Sequence, residues 1–520
     1  MESSKVIALA TRFVQKSCVR ICVVTLASTA ALAGCSCSTR GSPVTAVNKE
    51  APGVNDGQSE TALTTGIADQ GPTVIAAYND DTGTSSTIVY DQPQNTRKLL
   101  PGASEMGWSY SLDRGTSWTY GGKVKGDDTW PVIWSDPAAT TSQKNPHDVF
   151  LAYLAVPAEK MPSNGPIEGY VGTYLGGACI FRSTDGGLHF KRYQCIRNQD
   201  TTGPNGQQLP AGSENGHFYD GGSMASSPKG QLYVAYIDMD TQQAEIWSSP
   251  DENGQFKKMP TPFPQMWVAS HPIIRVNQSN GDLYAAAPIL TGTGDMTIYL
   301  NRFDGSQWGT PVQASDAGVQ YENITFSTGY VMRIGRPYSY DIGASSSKDA
   351  ADGVRMEYVL KDSATGRLYL NAAGCKWNLQ PMCYPQPGWG TGGATNPKYT
   401  VDQFNPNVRA WPGGSGWQPE WQVSYLERDG ITPNSVTLRE GGIGYIGSNP
   451  AFLAFNSMGP VAICPDNRGY WGDYDDMLVA GVDPSSHAPT YVRTMSDSSA
   501  GCVLRTDWHV DYVHVRAAGF

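Results

Sequence analysis

The chain reads as strand, turn, strand. Thr73-Val74-Ile75-Ala76-Ala77-Tyr78 is an apolar run ended by Asn79-Asp80-Asp81. Gln231 to Ile237, Asp282 to Ala287 and Gly366 to Leu370 repeat the theme, each behind a glycine-containing turn, and Trp508 to Val515 alternates as a half-buried strand does. Long amphipathic helices are absent after the first 34 residues. Many short strands with regular turn signals predict an all-β sandwich, barrel or propeller. The composition agrees: 58 Gly, 27 Tyr and 14 Trp among 520 residues, with 16% charged, suit strands and tight turns better than a helical bundle. The net charge of −11 and the lack of a basic cluster argue against nucleic-acid binding.

The N-terminus carries an export pattern. Lys5, Arg12, Lys16 and Arg20 precede a short apolar run, Ile21 to Ala31. That run falls short of the ~20 residues of a membrane span, so a cleaved signal is expected. Leu32-Ala33-Gly34-Cys35 follows and resembles the lipobox of bacterial lipoproteins, which implies lipid on the Cys35 thiol. The expected organisation is a signal at 1–34, a flexible tether at 35–60 rich in Ser, Thr, Gly and Pro, and one propeller domain at 61–520. Attachment at the bacterial envelope through this lipid alone, and a monomer, are expected.

Six cysteines remain beyond the tether. Their separations suggest the pairs Cys179 with Cys195, Cys375 with Cys383, and Cys464 with Cys502. No Cys-x-x-Cys or His-x-x-x-His spacing favours metal instead.

Repeats point to the propeller. Ser111-Leu112-Asp113-Arg114-Gly115-Thr116-Ser117-Trp118 fits Ser-x-Asp-x-Gly-x-x-Trp, Ser183 to Phe190 fits it with Phe closing, and Ser249 to Phe256 is a degenerate copy. The aspartate can take backbone N–H bonds within the turn while glycine supplies a positive φ. Asp113 and Asp185 are therefore expected to be structural. These motifs resemble the Asp-boxes of the sialidase-like, or BNR-repeat, superfamily. The resemblance implies a sialidase-like propeller of six blades, or seven if 416–446 forms a blade of its own. The stretch from Gly469 through Asp483-Pro484 also resembles a Trp-Gly-Asp-Tyr segment of bacterial BNR-repeat proteins.

Segments at Gly126–Val132, Phe218–Met224, Trp267–Ile273 and Trp471–Met477 read as starts of innermost strands. In a propeller these converge on one mouth of the central channel. Asp128, Asp220, Asp473 and Tyr474 are thus the candidate catalytic set, with His217 or His271 as companions. Converging carboxylates can hold a hard cation such as a structural calcium, supply a general acid and base, or simply cap turns. No other cofactor is called for.

Sialidases use a tyrosine nucleophile, and the resemblance implies three arginines that clamp the sugar carboxylate. Arg275, Arg333, Arg336, Arg355, Arg409, Arg439, Arg493 and Arg505 are available, but no motif selects three. Tyr321-Glu322 and Glu357-Tyr358 are strand neighbours that point to opposite faces, so neither is a nucleophile–base couple. No Gly-x-Ser-x-Gly, P-loop or His-Glu-x-x-His motif is present. Two classes remain: an envelope-anchored, exo-sialidase-like glycoside hydrolase acting on a complex glycan, or a non-catalytic propeller that binds glycan or protein. Trp377, Trp389, Trp411, Trp417 and Trp421 either stack on sugar or pack the blades.

Overall fold

The computed structural model describes residues 44–46, 58–80, 97–99, 104, 106–162, 167–169, 171–292, 295–319, 324–325, 331–332, 340–345, 353–377, 381–386, 401–410, 421–428, 435–446, 449–462, 476–482, 489–497 and 509–516. Within them the chain is a β-propeller. Seven antiparallel sheets follow one another, each a meander that runs from the inside outward. Their innermost strands are Gln58–Ala68, Ala138–Thr141, Tyr219–Ser226, Ile273–Val276, Tyr340–Ala344, Asp402–Ala410 and Met477–Val482, which define blades 1 to 7. The propeller expectation holds, in its seven-bladed form. The described parts of 416–446, Trp421–Arg428 and Ser435–Ile446, are the middle strands of blade 6, a sheet separate from blade 5.

The last sheet is completed by the other end of the chain. Val44–Ala46 pairs antiparallel with His509–Arg516, so these three residues are a strand rather than part of a tether. Such closure covers an edge that would otherwise stay unpaired.

The second strand of each blade is its apolar spine. Val149–Val156, Leu232–Asp238 and Leu283–Leu290 are buried along nearly their whole length because other strands flank them and neighbouring blades cover both faces. Packing between blades follows: Tyr236 of blade 3 shares a core with Phe150 and Val156 of blade 2. Trp421 is fully buried at the start of such a spine, and Trp377 meets Tyr284 edge-on at 5.4 Å. These two tryptophans pack the blades. Trp389, Trp411 and Trp417 lie outside the described residues.

The Ser-x-Asp hairpins close the outer strands as their sequence suggests. Ser111 Oγ donates to Asp113 at 2.8 Å and accepts Gly115 N–H at 2.6 Å, while Ser117 N–H donates to Asp113 at 2.8 Å. Ser183, Asp185, Gly187 and His189 repeat this set in blade 2. Burial works to raise the Asp113 carboxyl, but the bonds from Ser117 and Ser111 outweigh it and hold it below the usual range. Asp113 and Asp185 are turn acids on the face opposite the starts of the innermost strands.

Disulfides join Cys179 to Cys195 and Cys375 to Cys383, each between directly paired residues of neighbouring strands. Cys464, Cys502 and Cys35 lie outside the described residues. Among the described residues no helix is long and apolar enough to cross a membrane.

Candidate functional site at the channel mouth

The innermost strands are stitched into a ring by side chains. Thr64 and Thr141 share a hydroxyl bond at 2.8 Å between blades 1 and 2. Asp136 accepts Gly221 N–H at 2.6 Å between blades 2 and 3, and Ser223 Oγ accepts Ile274 N–H at 3.1 Å between blades 3 and 4. Arg275 of blade 4 reaches Asp341 of blade 5 at 3.0 Å. Asp341 also takes Arg409 of blade 6 at 2.5 Å, and Arg409 continues to Asp476 at the start of blade 7. Asp476 closes the circle by accepting Leu63 N–H of blade 1 at 2.8 Å. Because each blade runs strand one down, two up and three down, the starts of the innermost strands share a face with the loops between strands two and three. Within the ring a cavity of ≈ 90 Å³ is lined from all seven blades, by Thr61, Ala138, Met224, His271, Tyr340, Arg409 and Asp476 among others; His271 and Tyr340 stand toward that face, whereas Arg275 and Arg409 lie near the far ends of their strands.

On the face where the innermost strands begin, Asp136, Asp220 and His271 stand together, and His271 also lines the cavity. The innermost strand of blade 2 is interrupted: Val132–Ile133 and Ala138–Thr141 both pair with Val149–Val156, and the chain bulges between them. Asp136 sits in that bulge at φ 62, a left-handed conformation that aspartate tolerates better than most residues. A second bulge follows Asp220, where the register shifts across Gly221-Gly222. Gly221 has φ 62, and a Cβ there would lie 2.1 Å from His271 Cγ, so the missing side chain lets the imidazole lie on the backbone. His271 Nε2 is 3.4 Å from Asp220 Oδ2, with the imidazole buried and the carboxylate partly exposed. Each of the three residues offers a ligand atom, and all three atoms lie within 4.8 Å of one another.

That arrangement has two chemical uses. A carboxylate beside an imidazole can orient it and stabilise its protonated form, as acid–base chemistry requires. The same atoms could hold a cation, although one nitrogen and two carboxylates suit a transition metal better than calcium, which wants six to eight oxygens.

The cavity also carries Arg275, Asp341, Arg409 and Asp476, two cations matched to two anions. Burial and the nearby Arg409 pull the Arg275 pKa down, against Asp341 and Asp476. Burial also opposes the Arg409 charge, but the same two carboxylates outweigh it and raise its pKa. Of the other arginines, Arg355 is sealed in a pair with Glu357, Arg439 pairs with Glu427, and Arg493 donates to Ser424 at 2.5 Å. Burial pushes the Glu357 carboxyl up against the pull of Arg355. Tyr340 lies in the lining, but its hydroxyl donates to the His271 carbonyl at 2.7 Å and is no exposed nucleophile.

Of the expected residues, Asp220 and His271 meet at the mouth. Asp128 does not: it is exposed in the turn before Val132, because the part of blade 2 that lines the cavity begins only at Pro137. His217 is also elsewhere, buried under blade 3 with Nδ1 2.6 Å from Asp238 and Nε2 2.6 Å from the Asp200 carbonyl. Asp473, Tyr474, Tyr321, Glu322, Arg333, Arg336 and Arg505 lie outside the described residues. Asp136, Asp341 and Asp476 were not singled out from the sequence; of these only Asp136, placed before Pro137, carries a local sign of a break in a strand.

In fold the chain is a β-propeller. No family model matches it, and neither does any curated protein. Solved structures similar to it include the Hadza microbial sialidase Hz136, at TM-score 0.37 and 11% identity over 88% of this chain and 66% of that one. A mutant of Trypanosoma rangeli sialidase displaying trans-sialidase activity gives 0.38 and 10% over 91% and 57%. The catalytic domain of Coprinopsis cinerea GH62 alpha-L-arabinofuranosidase gives 0.28 and 12% over 74% and 90%. The chain thus spans just under two thirds of the first and little more than half of the second.

Proposed function

We propose that this propeller is an envelope-anchored glycoside hydrolase that acts on a complex glycan at the mouth of its central channel. The supporting observation is the convergence of Asp136, Asp220 and His271, with His271 Nε2 3.4 Å from Asp220. In this reading the partly exposed Asp220 carboxyl moves the proton, the buried His271 orients it through Nε2 and shares its charge, and the Asp136 carboxylate adds negative charge beside the imidazole. Asp473 and Tyr474 belong to the proposal because Asp476, three residues on, lines the same cavity. A cation, if the protein holds one, would take Asp136, Asp220 and His271. Among the described residues a sialic-acid clamp gains no support from Arg275 or Arg409, since both are matched to acids.

A second reading, a non-catalytic propeller that binds glycan or protein, is favoured by the cavity of ≈ 90 Å³, small beside the ~300 Å³ at which ligand pockets begin. A hydrolysis screen of purified mature protein on glycans of several classes separates the two. On any substrate found, Asp220→Asn should lower the rate at least ~100-fold with an unchanged melt, and Asp128→Asn should change neither. Capture of glycans without turnover by the wild type would establish the binder instead.

A further inference from the structure

Trp267 is 56% exposed, more than any other large hydrophobic residue among the described ones. Its backbone is held firmly all the same. Gln243 Nε2 donates to the Met266 carbonyl at 2.8 Å, and Leu290 N–H to that of Trp267 at 2.9 Å. Val268 N–H donates to the Gln242 carbonyl at 3.0 Å and Ala269 N–H to that of Pro288 at 2.8 Å. The Val268 side chain is locked into the core shared by blades 3 and 4. Four consecutive residues, Met266 to Ala269, are thus pinned while the Trp267 indole stays in water. An exposed tryptophan gives up most of the burial energy that its size offers.

The position explains what such a ring can serve. Trp267 precedes His271 by four residues, so at most ~14 Å of chain separates them. Leu290, 40% exposed and hydrogen-bonded to Trp267, ends the second strand of blade 4 on the face where the innermost strands begin. The indole therefore stands on the rim of the mouth whose floor carries Asp220 and His271. One ring and one leucine are far smaller than the several hundred Å² expected of a protein-binding patch. They match the apolar C–H face of a single pyranose, and Gln265, two residues earlier in the chain and exposed, offers an amide of the kind that suits its hydroxyls.

We infer that Trp267 is a stacking subsite for one sugar of the glycan chain, placed a short distance from the reacting bond. This deepens the proposed function and rests on it. Trp267 is a positioning residue: it sets where the chain lies and carries no proton.

The test uses full-length mature protein carrying Asp220→Asn, applied to a printed array of neutral and acidic oligosaccharides that includes sialyllactose and xylotriose. Adding Trp267→Ala should weaken capture at least ~10-fold, Trp267→Phe should restore most of it, and all three proteins should melt alike. In the active protein the alanine change should raise KM and leave kcat nearly unchanged. Equal capture with and without the indole would overturn the subsite and leave the glycan reading standing. Capture of no glycan by the Asp220→Asn parent would overturn the glycan reading, and the subsite with it.

Discussion

The backbone N–H of Gly221 donates to the carboxylate of Asp136 at 2.6 Å, and so joins blade 3 to blade 2 at the channel mouth. The same glycine is the floor on which His271 rests. A side chain here would strain φ 62 and displace the imidazole at once. Gly221→Ala should therefore cost about 1–3 kcal/mol of stability and abolish hydrolysis or binding at the mouth. A thermal melt paired with an activity or capture assay measures both. Full function in the variant would show that the Asp220–His271 contact is dispensable.

Asp113 works far from the mouth. Its carboxylate holds the turn by accepting from Ser111 and Ser117. Asp113→Ala should lower stability by about 1 kcal/mol and leave specific activity of the folded fraction unchanged. A chemical melt combined with active-fraction titration would expose any catalytic part it plays.

The hairpin bridge from Cys179 to Cys195 closes a short loop of 16 residues' separation. Replacing both cysteines by serine should cost about 3 kcal/mol, read as a shift in denaturant midpoint without a change of slope. Non-reducing peptide mapping should recover this bridge and Cys375–Cys383, and should show Cys464 joined to Cys502.

His217 gives the fold a pH dependence. Burial disfavours its charge, but the Asp238 carboxylate and the Asp200 carbonyl face its two ring nitrogens, and together they raise its pKa above the ordinary value. A raised folded pKa stabilises fully below the unfolded value of ~6.5, and this contribution is lost as pH rises through the folded value. Stability should fall on going from slightly acid to mildly alkaline pH, and His217→Gln should flatten that slope. Melts across this range in both proteins decide it.

Cys35→Ser should move the protein from the membrane fraction to the soluble fraction, because lipid on this thiol is the expected anchor. Fractionation followed by detergent phase partitioning reads the result. A wild type that partitions into the aqueous phase would reject the anchor.

Much of the architecture was legible along the chain because it depends on near neighbours. Apolar runs bounded by turns became spines such as Leu232–Asp238, since a six- to eight-residue apolar stretch can only be buried from both faces. The Ser-x-Asp turns and the two bridges also close over short separations, where local chemistry leaves few alternatives. The mouth is different. His271, Asp341, Arg409 and Asp476 line one cavity, and Asp136 and Asp220 stand beside His271; the six are spread over 341 positions and come near one another only because the ring of blades closes. Asp128 failed as a candidate through one bulge: interruption of the strand at Trp134–Pro137 brings Asp136, not Asp128, beside Asp220 and His271. Trp421 and Trp267 make the same point from opposite sides. Both follow polar, proline-containing stretches, yet Trp421 begins a spine and is sealed, whereas Trp267 sits on a rim and is open. Sequence alone determined the strands, the turns and the bridges, through interactions a few residues apart. Which acids, arginines and rings face the channel was decided by the closed ring of blades, because that burial and those charge partners come from strands that are distant in the chain.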